Sequence, residues 1–211
     1  MAQPAKPLRA DAARNRARVL ETAYETFAAE GLSVPIDEIA RRAGVGAGTV
    51  YRHFPTKEDL LFTLMREHME ALLATWETAS PTSIDPAARL AAFVRNHIRF
   101  HVERRRSTHV SNMELRSLSR ERLSAILKLR EGYEKQLRQI LREGAEAGNF
   151  QVDDPKLTAM AIIQMITGVI VWFRPDERLS VDEVAHTYLG MTLRLVGAKT
   201  TTVKAREAAY V

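Results

Sequence analysis

Between Val19 and Trp76 apolar side chains recur every three or four residues, and Gly31, Gly44 and Pro55 cut the pattern into short pieces. Val19, Leu20, Ala23, Phe27 and Ala28 make one apolar stripe; Ile36, Ile39, Ala40 and Ala43 make the next. A stripe of that period is the face of an amphipathic helix. Glycine provides a left-handed stop after a helix, and proline fits the first turn of the next one. The spacing predicts a helix from Ala12 to Gly31 and a second opening at Ser33-Val34-Pro35, with Pro35 in the first helical position. A short third helix follows over Ala47–Phe54, then a fourth that Thr56 caps and that runs past Trp76 to Ser80-Pro81. Glu58 and Asp59 fall in its first turn, where the helix dipole favours acids.

The same punctuation continues to the C-terminal side. Asp85 or Pro86 opens a helix to about Arg104, and a short helix lies near His109–Arg116. Ser119 caps a long helix, Glu121 to Ala147, which Gly148-Asn149 stops. Asp153-Asp154-Pro155 opens a helix through Phe173, and Val181–Val196 forms the last. No strand alternation and no internal repeat interrupts this. The expected class is all-α, with about nine helices. The expected organisation is a flexible basic arm over 1–11, a small helical domain over 12–56, a larger helical domain over 57–197, and a mobile tail over 198–211.

Composition narrows the function classes. With 45% hydrophobic residues, a 211-residue chain can bury a sizeable core. The absence of cysteine excludes disulfides and thiolate metal sites and fits a reducing compartment. A net charge of +5 permits a polyanionic partner without demanding one. The charged first twenty residues lack an apolar leader. The most apolar stretch, Met160–Phe173, is read as too short to span a bilayer and is diluted by Gln164. The expectation is a soluble, cytoplasmic protein with no membrane partner.

Ala43–Leu61, "AGVGAGTVYRHFPTKEDLL", then becomes informative. Two short helices joined by Gly44-Val45-Gly46 form a helix-turn-helix. Gly44 permits the left-handed turn, and Val45 fills the gap between the helices. Gly46, Ala47 and Gly48 leave the start of the third helix almost bare, so that end can approach bases and phosphates closely. Thr49, Tyr51, Arg52 and His53 supply the longer probes, while Val50 and Phe54, four apart, face inward. Arg14, Arg16 and Arg18, in a segment with five Lys and Arg against one acid over residues 1–20, suit phosphate or minor-groove contact. Arg42 ends the second helix on the expected path of the DNA backbone.

The stretch Val19 to Leu61, "VLETAYETFAAEGLSVPIDEIARRAGVGAGTVYRHFPTKEDLL", resembles the TetR family of transcriptional regulators over roughly the first third of the chain. The resemblance implies a dimeric DNA-binding protein whose C-terminal helices take a small effector. It implies major-groove contacts from Thr49, Tyr51 and His53 and a phosphate contact from Lys57. The chain departs from the family pattern at Gly46, where a serine or threonine cap is usual, and at Pro35, where a capping threonine is usual.

The C-terminal two-thirds carries no nucleophile elbow, no phosphate-binding glycine loop and no HExxH, so an enzyme is not expected. His97 and His101 share a helix face at metal-ligand spacing but lack a third ligand close by; no metal and no cofactor are expected. Phe93, His97, Phe100, His101, Asn112, Met113, Met160, Ile163, Gln164, Thr167 and Trp172 are the expected ligand lining, apolar with a few polar groups. Val110–Ser119 and Trp172–Ala185 resemble, more loosely, TetR-type regulators that sense acyl-CoA thioesters in fatty-acid or sterol catabolism. That resemblance implies an apolar acyl slot, with Arg104, Arg105 and Arg106 open to coenzyme A phosphates or to solvent. Ile166, Ile170, Leu189 and Leu193 are expected at a two-fold helical interface of a homodimer. The expected function is a repressor released from a pseudo-palindromic operator by a small apolar effector. The alternatives are an activator on the same fold and a helical small-molecule-binding protein without operator function.

Overall fold

The computed structural model describes residues 5–82, 85–112, 115–175 and 177–198. Its elements are α1 (Ala5–Glu30), α2 (Ile36–Arg42), α3 (Ala47–His53), α4 (Lys57–Ala79), α5 (Pro86–Glu103), α6 (Arg105–Asn112), a 3₁₀ turn over Leu115–Ser117, α7 (Arg120–Glu146), α8 (Pro155–Thr167), α9 (Val169–Trp172) and α10 (Val181–Leu195). With α8 and α9 taken as one path broken at Gly168, that makes nine α-helices and no strand among the described residues.

The local chemistry explains the boundaries. Thr56 and Asp59 cap α4 reciprocally: the Asp59 amide donates to Thr56 Oγ1 at 3.1 Å, and the Thr56 amide donates to Asp59 Oδ2 at 2.8 Å. Asp85 caps α5 and Asp154 caps α8, each followed by proline at the first helical position. Ser180 and Glu183 form the capping box of α10.

Three expectations are corrected. Residues 5–11, expected as a flexible arm, belong to α1; Pro7 sits in its first turn, where the missing amide is no loss. Pro35 is the cap of α2 rather than its first residue, with Ile36 the first helical position. The helix expected over His109–Arg116 ends at Asn112, with a separate 3₁₀ turn beyond it. The expected tail from residue 199 onward lies outside the described residues.

The chain forms two compact units, which do not divide at residue 57. One comprises residues up to His68 together with Arg106–Ile126; the other comprises Met69–Arg105 and the residues from Leu127 onward. α4 and α7 each contribute residues to both. In the first unit Phe27, Ile39, Val50, Phe54, Leu60, Leu64 and Met65 are buried together. In the second, α5 packs against α8, α9 and α10, and Leu90, Phe93, Ile98, Leu137, Ile140, Ile162 and Ile166 fill the interior.

Gly144 is closely packed in that second core. A Cβ there would lie 2.0 Å from the buried Phe150 ring, while the amides of Asn149 and Phe150 both donate to the Gly144 carbonyl. Gly144→Ala should lower stability by about 1–3 kcal/mol, since overpacking outweighs the gain in helix propensity. Thermal denaturation checks this, and an unchanged or raised melting temperature would contradict it.

Candidate DNA interface and effector cleft

The turn between α2 and α3 fixes the reading head. Gly44 has φ of +63°, the left-handed conformation that favours glycine. The Val45 amide donates to the Ala40 carbonyl at 3.1 Å and the Gly44 amide to the Arg41 carbonyl at 3.2 Å, a Schellman ending of α2. On α3, Val50 and Phe54 point into the core. Ala47, Gly48 and Arg52 are exposed, Thr49 is half-buried, and Tyr51 is 42% exposed. A Cβ added at Gly46 or Gly48 would meet nothing within 4 Å, so internal packing does not demand their smallness. Partial desolvation, and then the Asp37 carboxylate to which Tyr51 hydrogen-bonds, push the Tyr51 phenol above its ordinary pKa.

The basic residues divide into those with local partners and those tied to another helix. Arg14 pairs with Asp11 and Arg18 bonds Asn15 at 2.7 Å, both local and exposed. Arg16, expected to face DNA, is instead held within the unit: it pairs with Glu67 at 2.5 Å and its guanidinium lies 5.7 Å from the Phe54 ring centroid. Arg42 is likewise committed to Glu30 and Glu38, tying the end of α1 to α2. The hydrogen bonds from Arg41 and then Arg42 hold the Glu38 carboxyl at about 2. Both pairings have one cause: carboxylates on the same helix or a neighbouring one lie within reach of these guanidiniums. His53 has Nε2 buried without a hydrogen bond, so that nitrogen faces packing rather than solvent. Lys57 places Nζ 5.7 Å from the Phe27 ring centroid, and burial lowers its pKa.

A clasp that the sequence did not announce sits in the same unit. Glu58 accepts from the Ser119 amide at 2.7 Å, Arg122 pairs with Asp59, and Arg106 pairs with Glu25 at 2.9 Å. Glu58 and Asp59 therefore join the starts of α4 and α7 besides complementing a helix dipole. Phe62 lies between the guanidiniums of Arg66 and Arg122, each 5.6 Å from its ring centroid.

In the second unit the expected lining is partly brought together. Phe93, His97, Phe100 and His101 are buried on one face of α5. His97 spans the Tyr133 hydroxyl (Nδ1–Oη 3.2 Å) and the Thr167 hydroxyl (Nε2–Oγ1 2.8 Å). The His101 ring stacks on His97 with centroids 4.0 Å apart, and its Nδ1 donates to the His97 carbonyl at 2.8 Å. Ile163 and Thr167 are half-buried. Met160, Gln164 and Trp172, however, point outward, because α8 buries Ala159, Ile162 and Ile166 and so turns the other side to solvent. Asn112 is exposed and belongs to the first unit; Met113 lies outside the described residues.

An open cleft of about 330 Å³ lies between the end of α4 and the outer side of α5. Arg95, Asn96, Arg99, Phe100 and Arg104 line it, with Ala79 and Ala92 leaving the space. Of the three consecutive arginines, only Arg104 reaches it: Arg105 donates to the Phe173 carbonyl at 3.1 Å and Arg106 pairs with Glu25. The four-residue spacing of Arg95 and Arg99 was the sequence signal for this cleft.

The expected interface residues Ile166, Ile170, Leu189 and Leu193 are buried within the unit itself, at 0%, 8%, 8% and 7% exposure, and are corrected on that ground. The outward apolar side chains of the same helices are Leu157, Met160, Val171, Trp172, Met191 and Leu195. By length and composition the 18 residues Pro155–Trp172 are long and apolar enough to cross a bilayer, contrary to the sequence-based expectation. In the fold they are two helices broken at Gly168, packed by one side against α5.

This geometry has a family. Residues 19–64 match bacterial regulatory proteins of the tetR family, and residues 83–196 match the tetracyclin repressor-like C-terminal domain. The HTH-type transcriptional repressor KstR2 of Rhodococcus jostii is 26% identical over 181 residues, 84% of this chain and 89% of that one. The crystal structure of a bacterial regulatory protein in the tetR family from Rhodococcus RHA1 aligns with a TM-score of 0.83 at 33% identity, covering 88% of this chain and 98% of that chain. AibR in complex with isovaleryl coenzyme A and operator DNA aligns with a TM-score of 0.77 at 26% identity, covering 88% and 100%. The chain belongs to the TetR family of transcriptional regulators, and its α3 is the DNA-reading helix of a helix-turn-helix.

Burial holds the His101 imidazole neutral and pulls its pKa from 6.5 to about 4, against the smaller pull of its bond to the His97 carbonyl. The unfolded chain takes up this proton near pH 6.5, whereas the folded one resists it down to about 4. Stability is thus full above pH 6.5 and declines between 6.5 and 4 by up to about 1.4 kcal/mol per pH unit from this group. His101→Gln should flatten that part of the curve in urea denaturation; parallel curves for the two proteins would contradict it.

Proposed function

We propose that the protein is a homodimeric repressor that leaves a pseudo-palindromic operator when an acyl-coenzyme A thioester binds its C-terminal unit. The observation that carries the DNA part is the outward face of α3. There Ala47 and Gly48 give close approach, and Thr49, Tyr51 and Arg52 reach for base edges and phosphates. Arg14, Arg18 and Lys57 serve as phosphate contacts, with Lys57 leaving its place over Phe27 to do so. Arg16 and His53 pack within the unit, and Arg42 can share its exposed guanidinium between Glu30, Glu38 and a phosphate. The names of the relatives support the regulatory sign and the effector class: one is a repressor, and another was crystallised with isovaleryl coenzyme A and operator DNA.

The outward apolar side chains Leu157, Met160, Val171, Trp172, Met191 and Leu195 form the dimer face. A two-fold dimer places two α3 helices about 34–36 Å apart, one turn of duplex. The effector acts only through its differential affinity for the DNA-competent and released states. Helices α4 and α7, which contribute to both units, are the route for that shift. The protein works without a cofactor, catalyses no reaction and acts in the cytoplasm.

Fluorescence anisotropy on DNA from the upstream region of its own gene, against scrambled DNA, tests the reading. Specific binding released by one acyl-coenzyme A chain length is expected. Tyr51→Ala should weaken the specific complex by about 1–3 kcal/mol and spare binding to scrambled DNA. Equal affinity for both DNAs in the parent protein would sink the operator reading. Val171→Glu with Trp172→Glu should halve the mass seen by light scattering and abolish tight operator binding. A dimer that survives both changes would move the interface elsewhere.

A further inference from the structure

We infer that the α4–α5 cleft receives the phosphorylated adenosine end of the effector, an inference that rests on the thioester reading above. The cleft's chemistry suits an anion more than an acyl chain. Arg95, Arg99 and Arg104 reach it from a single stretch of chain, against Glu103 in the same wall. Arg99 is braced by Asp182, with Nε and Nη2 both donating to Oδ1 at 3.0 and 2.6 Å. That pair is exposed, so its guanidinium can be shared with a phosphate at little cost. Guanidiniums gathered in a cleft concentrate anions there and bind phosphate oxygens by paired, charge-assisted hydrogen bonds.

Two further features point to a nucleotide rather than a bare ion. The Arg104 guanidinium lies 4.8 Å from the Phe100 ring centroid, so a planar group already stands at the wall, where a purine can stack on its other side. The cleft volume of about 330 Å³ is of nucleotide size and too small for a whole long-chain thioester.

The test is calorimetric titration of the full chain with coenzyme A, octanoyl-coenzyme A and the octanoyl thioester of N-acetylcysteamine, which lacks the nucleotide. The parent protein should bind octanoyl-coenzyme A at least about tenfold more tightly than the truncated thioester. Arg99→Glu and, separately, Arg104→Ala should erase most of that difference. Arg142→Ala, which removes the same single charge as Arg104→Ala but from the exposed side of α7, should leave it intact. Melting curves confirm that each variant folds. Unchanged affinity for octanoyl-coenzyme A in the cleft variants would overturn the inference; if the operator is still released, the thioester reading survives. Coenzyme A binding that depends on Arg99 but never releases operator would keep the cleft and overturn the thioester reading. No binding by any of the three compounds would overturn both.

Discussion

Seven-residue helices do not stand in water by their own hydrogen bonds, yet α2 and α3 are that short. What holds them is the burial of Val50 and Phe54 among Phe27, Ile39 and Leu60. That shared core fixes the rotation of α3 about its axis, and with it which residues face outward. The Gly44 turn sets the entry angle, and the ion pairs of Arg42 with Glu30 and Glu38 lock α2 against the end of α1. The DNA-reading face is therefore a consequence of packing on the opposite side of the same helix.

The second unit is organised around α5. Its inner face combines large apolar side chains with two stacked histidines, and the cost of burying them is met by hydroxyl and carbonyl partners. Its outer face carries the arginines of the cleft. One helix thus places a buried polar network and a cleft lined by arginines within a turn of each other. The clasp from Glu58 and Asp59 to the start of α7 belongs to the first unit, but it is built from helices that also run through the second.

The family of the chain, its all-α class and most of its helix ends were legible in the sequence. The signals were local: capping side chains at Thr56, Asp85, Asp154 and Ser180, glycine stops at Gly31, Gly44 and Gly148, and the inward pair Val50 and Phe54. The reading face followed, because a seven-residue helix with two buried positions has little freedom left.

Other features depend on partners distant in the chain, and only the tertiary structure decided those. Arg16 and Arg42 look unpartnered across helices in the sequence, and only the fold brings Glu67 and Glu30 to them. Arg104, Arg105 and Arg106 are adjacent in sequence but diverge to three different surroundings. α8 is apolar nearly all round, so periodicity could not say whether Ile166 or Met160 faced the core; α5 made that choice by covering Ile162 and Ile166. The sequence determined which residues would be helical and which helices needed cover. The tertiary structure decided which face received it, because burial is a property of the neighbour as much as of the residue.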